Sequence, residues 1–235
     1  MRKISLVTGG SSGLGYEIAK CLLEKGFNVC LVSRSDKKLN LAVSKLSAIA
    51  DSKRLISYSA NVGKEDEVKR LFEFIAEKKF LLEKVFNTAG IGLFGHPESI
   101  SKEMIDSVFE GNLLGTIIVS SHAIRAMNKK GGLIVNIMST AAQSGRAQES
   151  VYCAAKWGAR GFTESLQAAT KGTSIRIIAV YPGGMNTPFW SEKCGLYPNT
   201  STFMNPSDVA RQIVHCSTTI DSSMVSDLII NRTFR

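Results

Sequence analysis

Thr8-Gly9-Gly10-Ser11-Ser12-Gly13-Leu14-Gly15 is the stretch on which the reading of this chain turns. It follows the apolar run Ile4-Ser5-Leu6-Val7, a short β-strand, and opens an amphipathic stretch over 13–25 that reads as a helix ended by Gly26. Glycines at such a junction let the chain turn tightly and expose backbone N–H groups. The helix behind them aims its positive end at the turn, so the unit can cradle a pyrophosphate when it stands first in a doubly wound sheet. A tight turn with no ligand would look similar in isolation. The spacing Gly-x3-Gly-x-Gly differs from G-x-G-x-x-G, and the lysine-ended P-loop pattern of ATP-binding chains does not occur.

The rhythm of strand and helix continues outward from this loop. Further strands are expected at 27–32, 55–59, 85–87, 133–138, 175–181 and 228–230, and helices at 36–49, 65–77, 102–109, 114–127, 151–169 and 206–216. Asn205 as N-cap and Pro206 at the first helical position open the last of these. About seven strands separated by helices imply parallel pairing through right-handed crossovers. The fold class expected is therefore α/β, a Rossmann-like doubly wound sheet with helices on both faces. No repeat or linker interrupts it, so residues 1–235 read as one domain. Residues 183–205 lack a regular period and are expected to form a flap. Phe189, Trp190, Leu196, Tyr197 and Phe203 would give that flap an apolar inner surface, or would pack in the core or at a subunit contact.

Composition narrows the classes further. With 235 residues, 44% hydrophobic and 21% charged, the chain is long and apolar enough to bury a core without staples. The five cysteines are scattered, with no CxxC and with His96, His122 and His215 far apart, so no metal site is expected and the thiols read as reduced. No apolar run approaches the ~20 residues of a membrane helix, and the basic start is followed by too few apolar residues for a signal peptide. A soluble cytoplasmic protein is the expectation. The formal charge of +9 favours anionic ligands, but no aromatic-interleaved basic stripe points to nucleic acid.

Tyr152 and Lys156 stand one helical turn apart on an expected helix, so both side chains share a face. A nearby ammonium favours phenolate and would lower the tyrosine pKa from its ordinary ~10. Such a phenol could give a proton to a carbonyl oxygen or take one from an alcohol. A Tyr-x3-Lys pair alone more often marks an exposed helix face. Cys153 lacks a paired histidine and reads as a packed thiol, and His96 as a surface residue.

The glycine loop, followed in order by Asn87-Thr88-Ala89-Gly90, Ser139, Tyr152-x3-Lys156 and Pro182-Gly183, resembles the non-extended branch of the short-chain dehydrogenase/reductase family, over essentially the whole chain. Thr88 stands where that family has a second asparagine. The resemblance implies an oxidoreductase acting on CH–OH groups with a nicotinamide cofactor, with Asn112, Ser139, Tyr152 and Lys156 as catalytic residues. Ser139 would hold the substrate oxygen, Lys156 would bind the nicotinamide ribose, and Asn112 would serve a proton relay or merely satisfy helix backbone. Cofactor contacts would come from Gly9, Ser11, Ser12, Gly13, Leu14, Gly15, Ser33, Arg34, Asn61, Val62, Asn87, Ala89, Gly90, Tyr152, Lys156, Pro182, Gly183, Met185 and Thr187.

A carboxylate at the end of the second strand would favour NAD. Here the run is Leu31-Val32-Ser33-Arg34, with no charge at Ser33 to repel a 2′-phosphate, Arg34 able to grip one, and Lys37 or Lys38 nearby. NADP(H) is therefore preferred, with NAD(H) possible, unless Arg34 only starts a turn. In Ala60-Asn61-Val62 the asparagine takes the place of the family's aspartate at the adenine edge, keeping an amide oxygen that accepts. A homodimer or homotetramer is implied, with the helices of Asn112 and Tyr152 at an interface. The rival readings are a non-catalytic NADP(H)-binding regulator, an extended-branch epimerase and a nucleic-acid-binding module. The last explains the charge and none of the motifs.

Overall fold

Val29-Cys30-Leu31-Val32 and the run from Ile175 to Tyr181 carry apolar side chains with little alternation, the signature of strands covered on both faces. The computed structural model, which describes residues 1–51, 53–127, 130–218 and 223–233, places them inside a seven-stranded parallel sheet of order β3-β2-β1-β4-β5-β6-β7. The strands are β1 (Arg2–Thr8), β2 (Val29–Ser33), β3 (Leu55–Ser59), β4 (Phe80–Asn87), β5 (Gly132–Ile137), β6 (Ile175–Pro182) and β7 (Asp227–Ile230). The helices between them are α1 (Gly13–Glu24), α2 (Asp36–Leu46), α3 (Glu65–Glu77), α4 (Lys102–Phe109), α5 (Gly115–Met127), α6 (Ser150–Ala169) and α7 (Pro206–Thr218).

Period-two alternation along each strand divides the core in two. Val7, Leu31, Val135 and Ile178 meet Ile18 and Leu22 of α1, Leu46 of α2 and Ile213 of α7 on one face. Leu6, Val32, Val85 and Ile134 meet Val68 and Leu71 of α3 and Val119 and Ala123 of α5 on the other. This is the α/β doubly wound arrangement the sequence implied. The strand order reverses between β1 and β4, so the loops leaving these two strands part and open a crevice at the sheet's carboxyl edge. No helix among the described residues is long and apolar enough to cross a membrane.

Among the boundaries that differ from the sequence reading, three bear on the site and its sheet. β4 begins at Phe80 rather than at 85, because Glu83 and Lys84, which read as loop residues, are paired at the strand's start: Lys3 Nζ lies 2.7 Å from Glu83 Oε1, and Lys84 Nζ stands 4.9 Å over the Phe27 ring. Phe27 itself stays outside β2, its N–H donating to Leu22 O (3.0 Å) as α1 ends. Helices expected to separate near Gly111 instead run continuously from 102 to 127 through a single π-turn, Glu110–Leu114. Such turns insert one residue without breaking the helix and often lie at functional sites.

Behind the crevice, Asn87 at the end of β4 points inward. Its Nδ2 donates to Ser120 Oγ (3.0 Å) and Asn136 Oδ1 (2.9 Å), and Asn136 Nδ2 donates to Thr163 Oγ1 (3.0 Å). This chain ties β4, α5, β5 and α6 together in a setting where an unpaired polar group costs heavily. Asn136→Ala is expected to lower unfolding stability by about 1–3 kcal/mol in urea titrations. An unchanged midpoint would show that the network does not support the fold.

Candidate active site

The loop after β1 reaches the crevice because glycine alone fits there. Gly9 takes φ +64°, and a Cβ on it would stand 2.8 Å from Ala89 Cα in the neighbouring loop. A Cβ on Gly15 would come within 2.6 Å of Gly9 O. The first turn of α1 is thereby drawn against β1 and β4, and its N-cap, Ser12, makes no side-chain capping bond. The helix's positive end faces the crevice, as an anion site requires. Thr8 and Thr88 lock the two loops: Thr8 Oγ1 accepts from Thr88 N (3.1 Å) and Ala89 N (3.2 Å), and the Thr88 hydroxyl donates to Thr8 O. Thr88, the departure from the family pattern, is thus a clasp between β1 and β4.

The crevice has a volume of about 530 Å³, within the ~300–1,000 Å³ typical of ligand and cofactor sites. It brings together nearly all residues singled out in the sequence: Gly9, Ser11, Ser12, Gly13, Leu14 and Gly15; Ser33 and Arg34; Asn61 and Val62; Ala89 and Gly90; Asn112, Ser139, Tyr152 and Lys156; and Pro182, Gly183, Met185 and Thr187. Asn87 is the exception. Its side chain is buried in the network described above and does not line the crevice.

One end of the crevice is basic. Arg34 and Lys38 line it, both exposed, beside a Ser11–Ser33 hydroxyl pair at 2.9 Å. Asn61 is more engaged than the sequence suggested. Its Oδ1 accepts from Gly63 N (3.1 Å) and its Nδ2 donates to Glu110 Oε1 (2.6 Å). That bond, with Lys64 at 3.4 Å and the Arg34 charge, holds the Glu110 carboxyl below the usual range. Glu110 was not anticipated, since no sequence pattern couples the start of a π-turn to the loop after β3.

At the other end the side chains of α6 and β5 converge. Lys156, 4% exposed, donates from Nζ to Ile137 O (3.1 Å), and its Nζ stands 5.7 Å from the Tyr152 ring centroid. Ser139 stands beside the Tyr152 phenol, whose ionised form its hydroxyl favours, and accepts from Ala141 N (3.1 Å). The π-turn swings Asn112 into the same region. Its Nδ2 donates to Ile91 O (2.8 Å) and Val108 O (2.9 Å), while its buried Oδ1 has no partner among the described residues. A Cβ on Gly90 would lie 2.5 Å from that Oδ1 and 3.7 Å from Lys156 Nζ, so the bare glycine leaves a small polar cleft between the two. An orphaned acceptor, a buried ammonium, a glycine-lined turn and a basic rim together fit a dinucleotide, with Lys156 and Asn112 toward its reactive end.

Electrostatics corrects one expectation. Burial pushes the Tyr152 phenol above its ordinary range, opposed by the Ser139 hydrogen bond and reinforced by the Glu149 charge. Burial pushes Lys156 down to about 8. Desolvation is the largest influence on both groups, so the polypeptide by itself keeps the phenol neutral rather than poised as phenolate. Lys156 yields a signed stability prediction. Unfolded, it stays protonated up to its ordinary 10.5, whereas folded it releases its proton near 8. At this residue the unfolded chain therefore binds more protons between these values, and its contribution to stability rises with pH across that window. Buried Cys30 and Tyr152, both raised, act in the opposite sense once the pH passes their ordinary values, so the rise is read as a difference: the stability of the cofactor-free protein relative to Lys156→Met should increase from pH ~8 to ~10 in denaturant titrations. Parallel curves for the two proteins would contradict the assignment.

Segment 183–205 lies along this end of the crevice in short turns at Pro188–Trp190, Glu192–Cys194 and Thr200–Thr202, with a Met185–Met204 bridge. Met185 O accepts from Trp190 Nε1 (3.1 Å), so this carbonyl anchors the indole. Phe189 stacks edge-on to Tyr152 at 5.7 Å, and Trp190 contacts Phe203 at 5.5 Å. Leu196 packs with this cluster, whereas Tyr197 is 78% exposed and is no part of the apolar lining. Phe94, unremarked in the sequence, meets the Tyr152 ring edge-on at 5.5 Å.

The short chain dehydrogenase family model matches residues 3–194. Carbonyl reductase family member 4 of Danio rerio is 33% identical over 187 residues, 80% of this chain and 77% of that protein. A short-chain dehydrogenase/reductase from Vibrio parahaemolyticus superimposes with a TM-score of 0.83 at 35% identity, covering 97% of this chain and 100% of its own. A variant actinorhodin polyketide ketoreductase solved with NADPH gives a TM-score of 0.87 at 25% identity, over 98% of this chain and 95% of its own. With the doubly wound sheet and the crevice at its switch point, these likenesses identify the chain as a member of the short-chain dehydrogenase/reductase family, an oxidoreductase built to use a nicotinamide cofactor.

Proposed function

We propose that this protein is an NADP(H)-dependent reductase that interconverts a ketone or aldehyde and the corresponding alcohol, with Tyr152 as general acid and base. The observation that carries the reading is the meeting of Ser139, Tyr152, Lys156 and Asn112 at one end of a crevice whose other end carries Arg34. The bound cofactor supplies the hydride. The chain's residues do the rest: Ser139 orients the carbonyl oxygen, and the Tyr152 phenol, kept neutral by burial, has a proton ready for that oxygen. Lys156, with Asn112 beside it, steadies the ribose and returns a proton to the phenol. The aromatic lining formed by Phe94, Phe189 and Trp190 suits an apolar substrate of small to medium size.

NADP(H) is favoured over NAD(H) because Ser33 brings no carboxylate to the ribose and Arg34 and Lys38 flank it. The NADPH found with the actinorhodin ketoreductase agrees with that choice. Five free cysteines suit a reducing, cytoplasmic setting. Exposed Leu114 (44%) and Trp157 (46%), on the π-turn and α6, suit burial in a homodimer or homotetramer. An NADPH-oxidation assay over aldehydes, ketones, quinones, steroids and 3-oxoacyl thioesters tests the reading. Turnover of at least one carbonyl class is expected. Tight NADPH binding with no turnover would favour a non-catalytic NADP(H)-binding protein.

A further inference from the structure

Beyond the aromatic lining lies a second cavity of about 280 Å³, bounded by Thr140, Arg146, Glu149, Trp190, Phe203 and Arg232. It shares Arg146, Glu149 and Trp190 with the crevice, so the two spaces are neighbours across one wall. A ladder of ring contacts leads from the reactive end to its far side: Tyr152 to Phe189 at 5.7 Å, Phe189 to Trp190 at 5.1 Å, Trp190 to Phe203 at 5.5 Å, and the Arg232 guanidinium 4.8 Å over Phe203. The crevice thus holds the phenol, and the cavity beyond the aromatic wall is lined by Trp190 and Phe203 and carries positive charge at Arg232.

The two arginines differ in their commitments. Arg146 is held on the near wall, with Nη2 donating to the Thr140 hydroxyl and Nη1 3.8 Å from Glu149 Oε2. Glu149, 9% exposed, offsets that one charge at most, and burial raises its carboxyl toward the neutral form. Arg232 has no carboxylate partner among the described residues; its Nη1 makes one long contact to Thr202 Oγ1 (3.5 Å). Arg232 is exposed, and among the described residues most of its five donors are open to a ligand, in the fork geometry that suits a carboxylate. Lys193, which lines the crevice on the same flap, adds to the positive field.

We propose that this cavity is a subsite for an anionic group, so that the substrate is a carbonyl compound with an apolar body and a carboxylate at its far end. The proposal rests on the reductase reading for the position of the reacting carbonyl and on Arg232 for the anion. Selectivity follows from charge-assisted bonding: a carboxylate reaching Arg232 gains interactions that its neutral ester lacks.

The test uses para-acetylbenzoate and its methyl ester, titrated calorimetrically into the protein saturated with NADP⁺ and assayed separately with NADPH. The acid is expected to bind about ten- to a hundredfold more tightly than the ester. Arg232→Ala should erase that preference, and Arg232→Glu should invert it, with the melting temperature unchanged. An acid that binds no better than its ester, or a preference that survives Arg232→Glu, overturns the subsite. Binding and turnover separate the two levels of the argument. Arg232-dependent binding of the acid without NADPH oxidation keeps the subsite and removes the reductase reading. Equal reduction of both probes, indifferent to Arg232, does the reverse.

Discussion

Tyr152→Phe is expected to lower turnover by roughly 10²–10⁴ while leaving NADPH affinity nearly unchanged. The substitution removes one oxygen from a ring already fixed edge-on by Phe94 at 5.5 Å and Phe189 at 5.7 Å, so the wall of the site should survive. What is lost is the proton donor beside Ser139. Because the loss falls on a step beyond substrate binding, kcat should drop far more than KM rises. Steady-state kinetics with any reduced carbonyl, beside a fluorescence titration of NADPH, separates these effects. Unchanged turnover would remove Tyr152 from the chemistry. Equal losses of turnover and NADPH affinity would point to damage of the fold.

The second large effect is expected at the basic rim. Arg34→Ala should weaken NADPH binding by about ten- to a hundredfold and leave NADH nearly untouched, because only the former carries the phosphate that the guanidinium can bond. Arg34 is exposed, so solvent screening favours the lower end of this range and added salt should narrow the difference. Tighter binding of NADH than NADPH by the unaltered protein would overturn the cofactor preference.

Both predictions stand on residues legible before any coordinates, and the reason is local. The glycine loop signals itself because its backbone conformation and close approach exclude other residues, and Tyr152 and Lys156 share a face by helical geometry alone. What stayed hidden depends on contacts distant in sequence. Asn87 reads as a crevice residue until β5 and α5 present Asn136 and Ser120 to its amide. Asn61 reads as a free acceptor until Glu110 and Gly63 take both ends of its side chain. The strand run Phe80–Lys84 hides behind two charged side chains, Glu83 and Lys84, that pair with each other and with Lys3 of β1 and Phe27 before β2. The π-turn likewise follows from packing, since Gly111 looks like a break wherever neighbouring elements are unknown. Ionisation was the least readable property: proximity of an ammonium suggested a lowered phenol, and burial of both groups reversed the sign.

The arginine-walled cavity belongs to the same hidden class. Arg146, Phe203 and Arg232 lie in three separate segments with no shared motif, and only the folded flap brings them together. The proposed substrate subsite thus lies where sequence patterns are weakest, while the glycine loop and the Tyr-Lys pair lie where they are strongest.

Whether hydride passes to a carbonyl carbon beside Tyr152 is tested most directly with NADPH deuterated at its transferable nicotinamide position. After reaction with a carbonyl compound that the protein consumes, mass spectrometry should find one deuterium on the new carbinol carbon and alcohol equal to NADP⁺ formed. Cofactor oxidised with no deuterium in an alcohol, or no oxidation by any carbonyl class despite NADPH bound in the crevice, would contradict the account.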